Sequence, residues 1–343
     1  MRRRLFCKAG LATAATLPAG GQSVCRSVLA AQHAGPGTAR LGRQMSDALR
    51  GTVAVAHDVA PTGTVLRTNN QALPSGRVAT RLNDAMGALL GADPWHRLFG
   101  PDDVVALKLN GLAAPHLSPR RELVDAIVTG LESAGVPPEQ IILFERTSWE
   151  LERCGYPLQV GPDAVRAYGT DALRGGGYSR DLVVFGEVGS FLTRVVAEYA
   201  TALINVGVLK DHDLAGVSAG MKNLYGLIHN PNRYHDHTCD PYVAHVTALP
   251  AVRAKLRLTV IDAVVAQCHG GPAYREQWTW PCGRILVGRD PVAVDTVASE
   301  WITGERARRG LPSLAEAGRE PVWLRTAAEL GLGQRENLRI QAV

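Results

Sequence analysis

The stretch DVVALKLNGLAAPHLSPRRELVDAIVTGLESAGVPPEQIILF, residues 103–144, decides the architecture. Its first seven residues are a nearly continuous apolar run broken only by Lys108, the pattern of a buried strand. Arg120 to Ala134 then sets Leu123, Ile127 and Leu131 four residues apart, with Val124 and Val128 beside them, which predicts an amphipathic helix. Gly135 and Pro137-Pro138 end that helix, and Ile141 to Phe144 resumes as a short buried strand. Strand, helix and strand in this order make a βαβ crossover, and its two strands are parallel.

Further strands are expected at Asp181–Phe185, Ala202–Leu209, Leu256–Ile261 and Arg284–Val287, with helices at Leu192–Tyr199, from Asp290-Pro291 through Trp301, and at Pro321–Leu330. Asp suits the N-cap and Pro the first helical position. Residues 303–320 read as an exposed connection. Upstream, Asn69–Asn83 reads as loop, Arg81–Leu90 as a short helix, and Asp93-Pro94-Trp95 as a turn with an aromatic anchor. At 343 residues and 46% hydrophobic content the chain can bury a substantial core. The expectation is α/β: a single domain over residues 101–343, with a mostly parallel sheet flanked by helices. Residues 31–100 would be an N-terminal extension packing on it.

The first thirty residues stand apart. Arg3-Arg4-Leu5-Phe6-Cys7-Lys8 precedes a weakly apolar stretch, Ala9–Leu17, which reads as a twin-arginine export signal; the alternative is a basic arm on a cytoplasmic protein. The signal reading makes the twin-arginine export machinery a partner and the location periplasmic or otherwise exported. Arg2, Arg3, Arg4, Lys8 and Arg26 account for the whole formal charge of +5. No basic stripe with interleaved aromatics remains, which argues against nucleic-acid binding. No membrane span is expected in the mature chain. Cys154, Cys239, Cys268 and Cys282 could form disulfides in an oxidising compartment, and the absence of CxxC leaves no ferredoxin or zinc-knuckle motif.

In a sheet of this kind ligands bind outside the carboxyl ends of the strands. The predicted strands release Lys108 and Asn110, Glu145 and Arg146, and Lys210 and His212 there, with Asp262 and Asp290 completing the rim. Capping alone accounts for Asp290, so Asp295 is the more informative acid. After His212 a small-residue loop carries Gly216, Gly220, Lys222, Asn223 and Gly226. The glycine spacing is not that of a nucleotide-phosphate loop, although backbone amides there could hold an anion. His235, His237 and Cys239 offer metal donors, and the two histidines share a face only if the segment is extended; the alternative is a polar surface turn. Residues 267–283 read as a long loop, a lid or one pinned by a Cys268–Cys282 disulfide.

VALKLN at 105–110, INVGVLKDH at 204–212, GVSAGMKNLYG at 216–226, VIDA at 260–263 and GRDPVAVD at 288–295 together resemble the bacterial and archaeal proteins grouped as domain of unknown function 362. More distantly, His212, Gly216, Gly220, Lys222 and Gly226 resemble the segment of lactate racemase that holds a nickel-pincer nucleotide. That resemblance makes Lys222 the covalent attachment lysine and His212 a proton-transferring histidine, with His237 near the nickel-binding position. The chain departs from it at Glu145-Arg146-Thr147, where a second catalytic histidine would stand, and around Asn110, where an arginine would stand.

The combined expectation is an exported α/β protein that binds a transition metal or metallocofactor and a small anionic molecule. Catalysis would be proton transfer on a small carboxylate, with His212 as general base, Lys210 or Lys108 as the carboxylate clamp and Glu145 as the second acid/base group. Lys222, Gly216, Gly220, Asn223, Lys108, Asn110, Asp262 and Asp295 would hold the cofactor, and His235, His237 and Cys239 the metal. The alternative is a non-enzymatic periplasmic protein, anion-binding or associated with iron-sulfur electron transfer.

Overall fold

β2 (Val105–Lys108), α3 (Arg121–Ser133) and β3 (Ile141–Glu145) form the expected crossover, and Val105 to Lys108 pair in parallel register with Ile141 to Phe144. The computed structural model describes residues 49–59 and 75–343; the segment expected as a twin-arginine signal and residues 69–74 of the expected loop lie outside them. All described residues fall in one compact unit.

The remaining elements follow in chain order. Before the crossover come β1 (Thr52–Ala56), α1 (Ser75–Leu90) and α2 (Pro94–Leu98). After it come α4 (Ser148–Arg153), β4 (Arg166–Gly169), β5 (Tyr178–Phe185), β6 (Val188–Thr193), β7 (Ala202–His212) and β8 (Gly216–Ser218). The last third holds α5 (Tyr242–Ala248), α6 (Pro250–Lys255), β9 (Leu256–Gln267), β10 (Thr279–Gly288), α7 (Pro291–Arg308), α8 (Trp323–Glu329) and β11 (Arg339–Ala342).

Among the described residues nine strands make one mixed sheet in the order β11-β1-β10-β9-β7-β2-β3-β4, with β8 folded back on β7. The run from β9 to β4 is parallel throughout, while β10 is antiparallel to both of its neighbours. Successive side chains leave a strand on opposite faces, so a strand covered on both sides reads as continuously apolar. Thus Leu107, Leu143 and Ile204 pack with Leu82, Leu123 and Ile127 of the helices on one face. Ala106, Ile142 and Leu203 pack with Leu224, Val243 and Trp323 on the other.

Five elements differ from their sequence reading. The expected loop Asn69–Asn83 is helix from Ser75 onward, so α1 begins six residues before the expected start at Arg81. Leu192–Tyr199 is not a helix: the chain stays extended to Thr193 and then makes a single π turn, Val195–Tyr199. Gly186, at φ 53°, closes a tight turn that pairs β5 with β6 as a two-stranded ribbon outside the main sheet, so the apolar residues serve cross-strand packing. β7 runs three residues beyond Leu209, because β8 supplies partners for Lys210, Asp211 and His212. β9 continues past Asp262 to Gln267 and pairs with β10, which turns the two ends of the expected 267–283 loop into strand and leaves residues 268–278 as the connection. Cys154, Cys239, Cys268 and Cys282 are all free thiols. The helix that Asp290 caps, through its bond from the Ala293 amide, extends to Arg308 and takes the first residues of the expected connection.

Candidate functional site

The chain order in the sheet reverses between β2 and β7: β3 and β4 continue to one side, β9 to the other. A crevice opens at the carboxyl ends of the two strands that flank such a reversal. A cleft of about 350 Å³ lies here, lined among others by Lys108, Asn110, Arg146, His212, Lys222 and His235.

Lys108, at the end of β2, is buried and committed. Its Nζ donates to Glu145 Oε1 at 2.8 Å, to Asn223 Oδ1 at 3.2 Å and to the Leu109 carbonyl. Glu145 is equally occupied, since Oε1 also accepts the Gly111 amide at 2.9 Å and Oε2 the Arg146 amide. This pair therefore ties β2 to β3 and to the segment around Asn223. Neither partner has the spare capacity that a clamp or a proton carrier needs.

Two residues on, β7 sends Lys210 and His212 to one face and Asp211 to the other. Lys210 Nζ donates to Asn110 Oδ1 at 2.9 Å, and Asn110 stands between it and the cleft. Burial pushes the Lys210 ammonium down to about 7. On the opposite face Asp211 takes Arg319 Nη1 at 3.0 Å and the Gly271 amide at 3.0 Å, which anchors the end of the strand.

His212 has a fixed tautomer. Its Nδ1 accepts the amides of Leu214 and Ala215, both at 3.2 Å, so the lone pair is on Nδ1 and the proton on Nε2. Burial, then the charges of Lys222 and His235, push its pKa down to about 2. Asp213 Oδ1 also lies 3.2 Å from Nδ1, but the ring is neutral and this contact is not an ion pair. In this form His212 donates a hydrogen bond rather than accepting a proton, unlike the general base expected from sequence.

The turn after β8 brings Lys222 over the cleft. Asp295, fully buried on α7, accepts the amides of Gly220 at 2.7 Å and Met221 at 2.8 Å. The amide cradle anticipated for an anionic ligand is thus filled by the chain's own carboxylate, whose pKa burial raises to about 7. Gly216, at φ 78°, makes the β7–β8 turn with its α-carbon against the Arg319 backbone, and serves shape rather than ligand contact. Lys222 Nζ sits 3.7 Å above the centre of the Tyr225 ring and 3.2 Å from His235 Nε2. Burial lowers its pKa to about 8. The His235 ring stacks on that of His212, with centroids 5.8 Å apart.

The His235–Cys239 segment is not extended. His237, Thr238 and Cys239 all take left-handed backbone angles, so the two histidines diverge. His235 faces the cleft, His237 is exposed and Cys239 is buried under the turn. Among the described residues no group of three or more His, Cys, Asp or Glu is placed to hold a metal ion. With His237 away from the cleft, these residues do not fit a nickel group tethered at Lys222. Asp262 is also remote from the cleft: its carboxylate takes the Arg120 amide and Nε, both at 2.8 Å, and fixes the start of α3 to β9.

A profile of the family described as domain of unknown function (DUF362) matches residues 105–300. The chain belongs to this family. The DUF362 match begins at β2 and ends within α7, so it contains every residue of the cleft just described. No curated protein matches the chain.

The cleft also contains residues that the sequence reading passed over as site residues. Arg146 follows β3 directly, and its nearest carboxylate is Glu150 at 3.9 Å, long for an ion pair. Ser218, Tyr225 and Asn232 complete the wall near Lys222. Arg146 had been visible as a charge released at a strand end; the other three carried no signal in their spacing.

Proposed function

We propose that the cleft binds a small carboxylate and moves a proton to or from it. The observation that carries this reading is the opposed pair of imidazoles: His212 presents an N–H at Nε2, while His235 turns its Nε2 toward Lys222. One ring of this stacked pair donates and its neighbour accepts, which is the arrangement a proton-transfer site needs. Arg146 is the carboxylate clamp, because Lys108 is committed to Glu145 and Lys210 lies behind Asn110. Nε2–H of His212 holds an oxygen of the ligand, and the Lys222–His235 pair takes or returns the proton.

A non-enzymatic anion-binding protein would use the same Arg146 and Lys222. The two readings separate in one experiment: small carboxylates are incubated with the protein in deuterium oxide and followed by proton NMR. Loss of the signal of a hydrogen beside the carboxylate, or beside the carbonyl of a 2-oxo acid, at a rate reduced at least about tenfold in a Lys222→Gln variant, is expected for the enzyme. Saturable binding without exchange across a panel of such acids would leave the binder, and absence of binding would remove both.

A further inference from the structure

The chain has only five lysines, against 32 arginines, and three of the five, Lys108, Lys210 and Lys222, are gathered at this one site. A chain that uses arginine almost everywhere else has lysine where the chemistry differs. Guanidinium stays protonated and is a poor nucleophile, whereas an amine can lose its proton and attack carbon. Of the three, Lys108 is held by Glu145 and Lys210 is screened by Asn110, so Lys222 is the one whose nitrogen lines the cleft free of a carboxylate partner.

Resting on the proton-transfer reading above, we propose that the substrate is a small 2-oxo acid and that Lys222 Nζ condenses with its carbonyl carbon to form an imine. The step balances without any further reagent. The Lys222 ammonium passes a proton to His235 Nε2, 3.2 Å away, and the freed lone pair forms the C–N bond. The carbonyl oxygen, held by the Nε2–H of His212, takes that proton back from His235. The resulting carbinolamine loses its hydroxyl, with the second proton of the nitrogen, as water. Ammonium and ketone have become iminium and water. With Lys222 lowered to about 8 by burial, on the order of a tenth of it is neutral amine at pH 7. The iminium withdraws electrons from the adjacent carbon, which makes the hydrogen there acidic enough for transfer at neutral pH.

Each neighbour has a part that its contacts support. Burial and the Lys222 charge hold His235 below its ordinary pKa, against backbone hydrogen bonds to Asn232 and Pro231, so the resting ring is neutral and its Nε2 is open to a proton that it returns in the next step. The Tyr225 ring face, 3.7 Å from Nζ, orients the amine and steadies the cationic iminium. Arg146 holds the carboxylate and so sets the carbonyl toward Lys222.

Pyruvate with cyanoborohydride tests the assignment, with propionate as the matched acid that lacks the carbonyl. The expected result is one reduced adduct per chain, mapped to the peptide of Lys222 and suppressed by excess propionate. Lys222→Arg should keep propionate binding within about threefold and lose the adduct, while His235→Gln should slow trapping at least about tenfold with propionate affinity kept. Binding of both acids with no adduct at Lys222, or adducts spread over Lys108, Lys210 and Lys255, would overturn the imine and leave the proton-transfer reading standing. Failure of both acids to bind would overturn the two together.

Discussion

Lys222 Nζ lies 3.2 Å from His235 Nε2, and its remaining close contact is the face of Tyr225 rather than a carboxylate. A buried ammonium with no anion beside it is held below its ordinary pKa, and an arriving carboxylate restores it. Affinity for propionate should therefore be level from about pH 6 to 8. Above 8 it should weaken, because each bound acid must then bring a proton with it; the slope approaches tenfold per pH unit. Calorimetry in buffers of different ionisation heat measures both the affinity and the proton uptake. A profile flat to pH 10 would show that Lys222 does not answer the anion.

His212 gives a prediction that concerns the ring itself. Two backbone amides hold Nδ1 as an acceptor, and burial with two neighbouring cations lowers the pKa to about 2. Nitrogen NMR of labelled protein should show one neutral tautomer, protonated at Nε2, with no titration between pH 5 and 8. A His212→Leu variant should slow formation of the pyruvate adduct by about tenfold, the scale of one buried hydrogen bond to the carbonyl oxygen, without moving the propionate pH profile set by Lys222. A ring that titrates near pH 6 would make His212 a base after all.

The crossover at residues 103–144 was legible because helix and strand periods are written directly in apolar spacing. β7 was legible as a strand but not to its end, since Lys210 and His212 look like loop residues until β8 is known to pair with them. Residues 192–199 carried a helical spacing that the Gly186 turn overrode by giving the same residues a cross-strand partner. At the site, Lys210, His212, Lys222 and Asn110 do come together, because strand ends in a parallel sheet converge wherever the order reverses. Their individual states were not legible. Whether a lysine is committed, as Lys108 is, or available, as Lys222 is, depends on partners 37 and 115 residues away along the chain. The His235–Cys239 cluster failed as a group for a local reason: donor spacing supports a metal site only if the backbone is extended, and three left-handed residues bend it.

The Lys108–Glu145 pair is 2.8 Å long and nearly inaccessible. Lys108→Met should cost about 3–5 kcal/mol, because it leaves the carboxylate buried with only backbone amides as partners. Lys108→Met with Glu145→Gln should recover at least half of that loss, since the double change removes both charges together. Denaturant unfolding of the four proteins completes the cycle. A double variant as unstable as the sum of the two single changes would mean the residues act independently.

Lys210 should destabilise the fold that contains it. Its hydrogen bond to Asn110 Oδ1 satisfies one of three donors in a site that is otherwise closed to water. Burial brings its folded pKa to about 7, below the value near 10.4 of a free lysine. Between these values the unfolded chain binds a proton that the native chain lacks, so this residue makes stability rise with pH from about 7 to about 10. Its cost is therefore largest at and below pH 7 and on the order of 5 kcal/mol at most. Lys210→Met keeps the length of the side chain and removes the charge, while Asn110 can turn its freed oxygen to the cleft. The variant should be more stable than the parent by roughly 1–3 kcal/mol at pH 7, with the gap closing toward pH 10. Denaturant unfolding of the pair across that range isolates Lys210, because every other titrating group is common to both. A variant less stable than the parent at pH 7 would mean that the lysine is held by more than Asn110. Propionate affinity supplies the second readout: with Lys210 screened by Asn110 it should change less than about threefold, in contrast to the loss at Lys222→Gln.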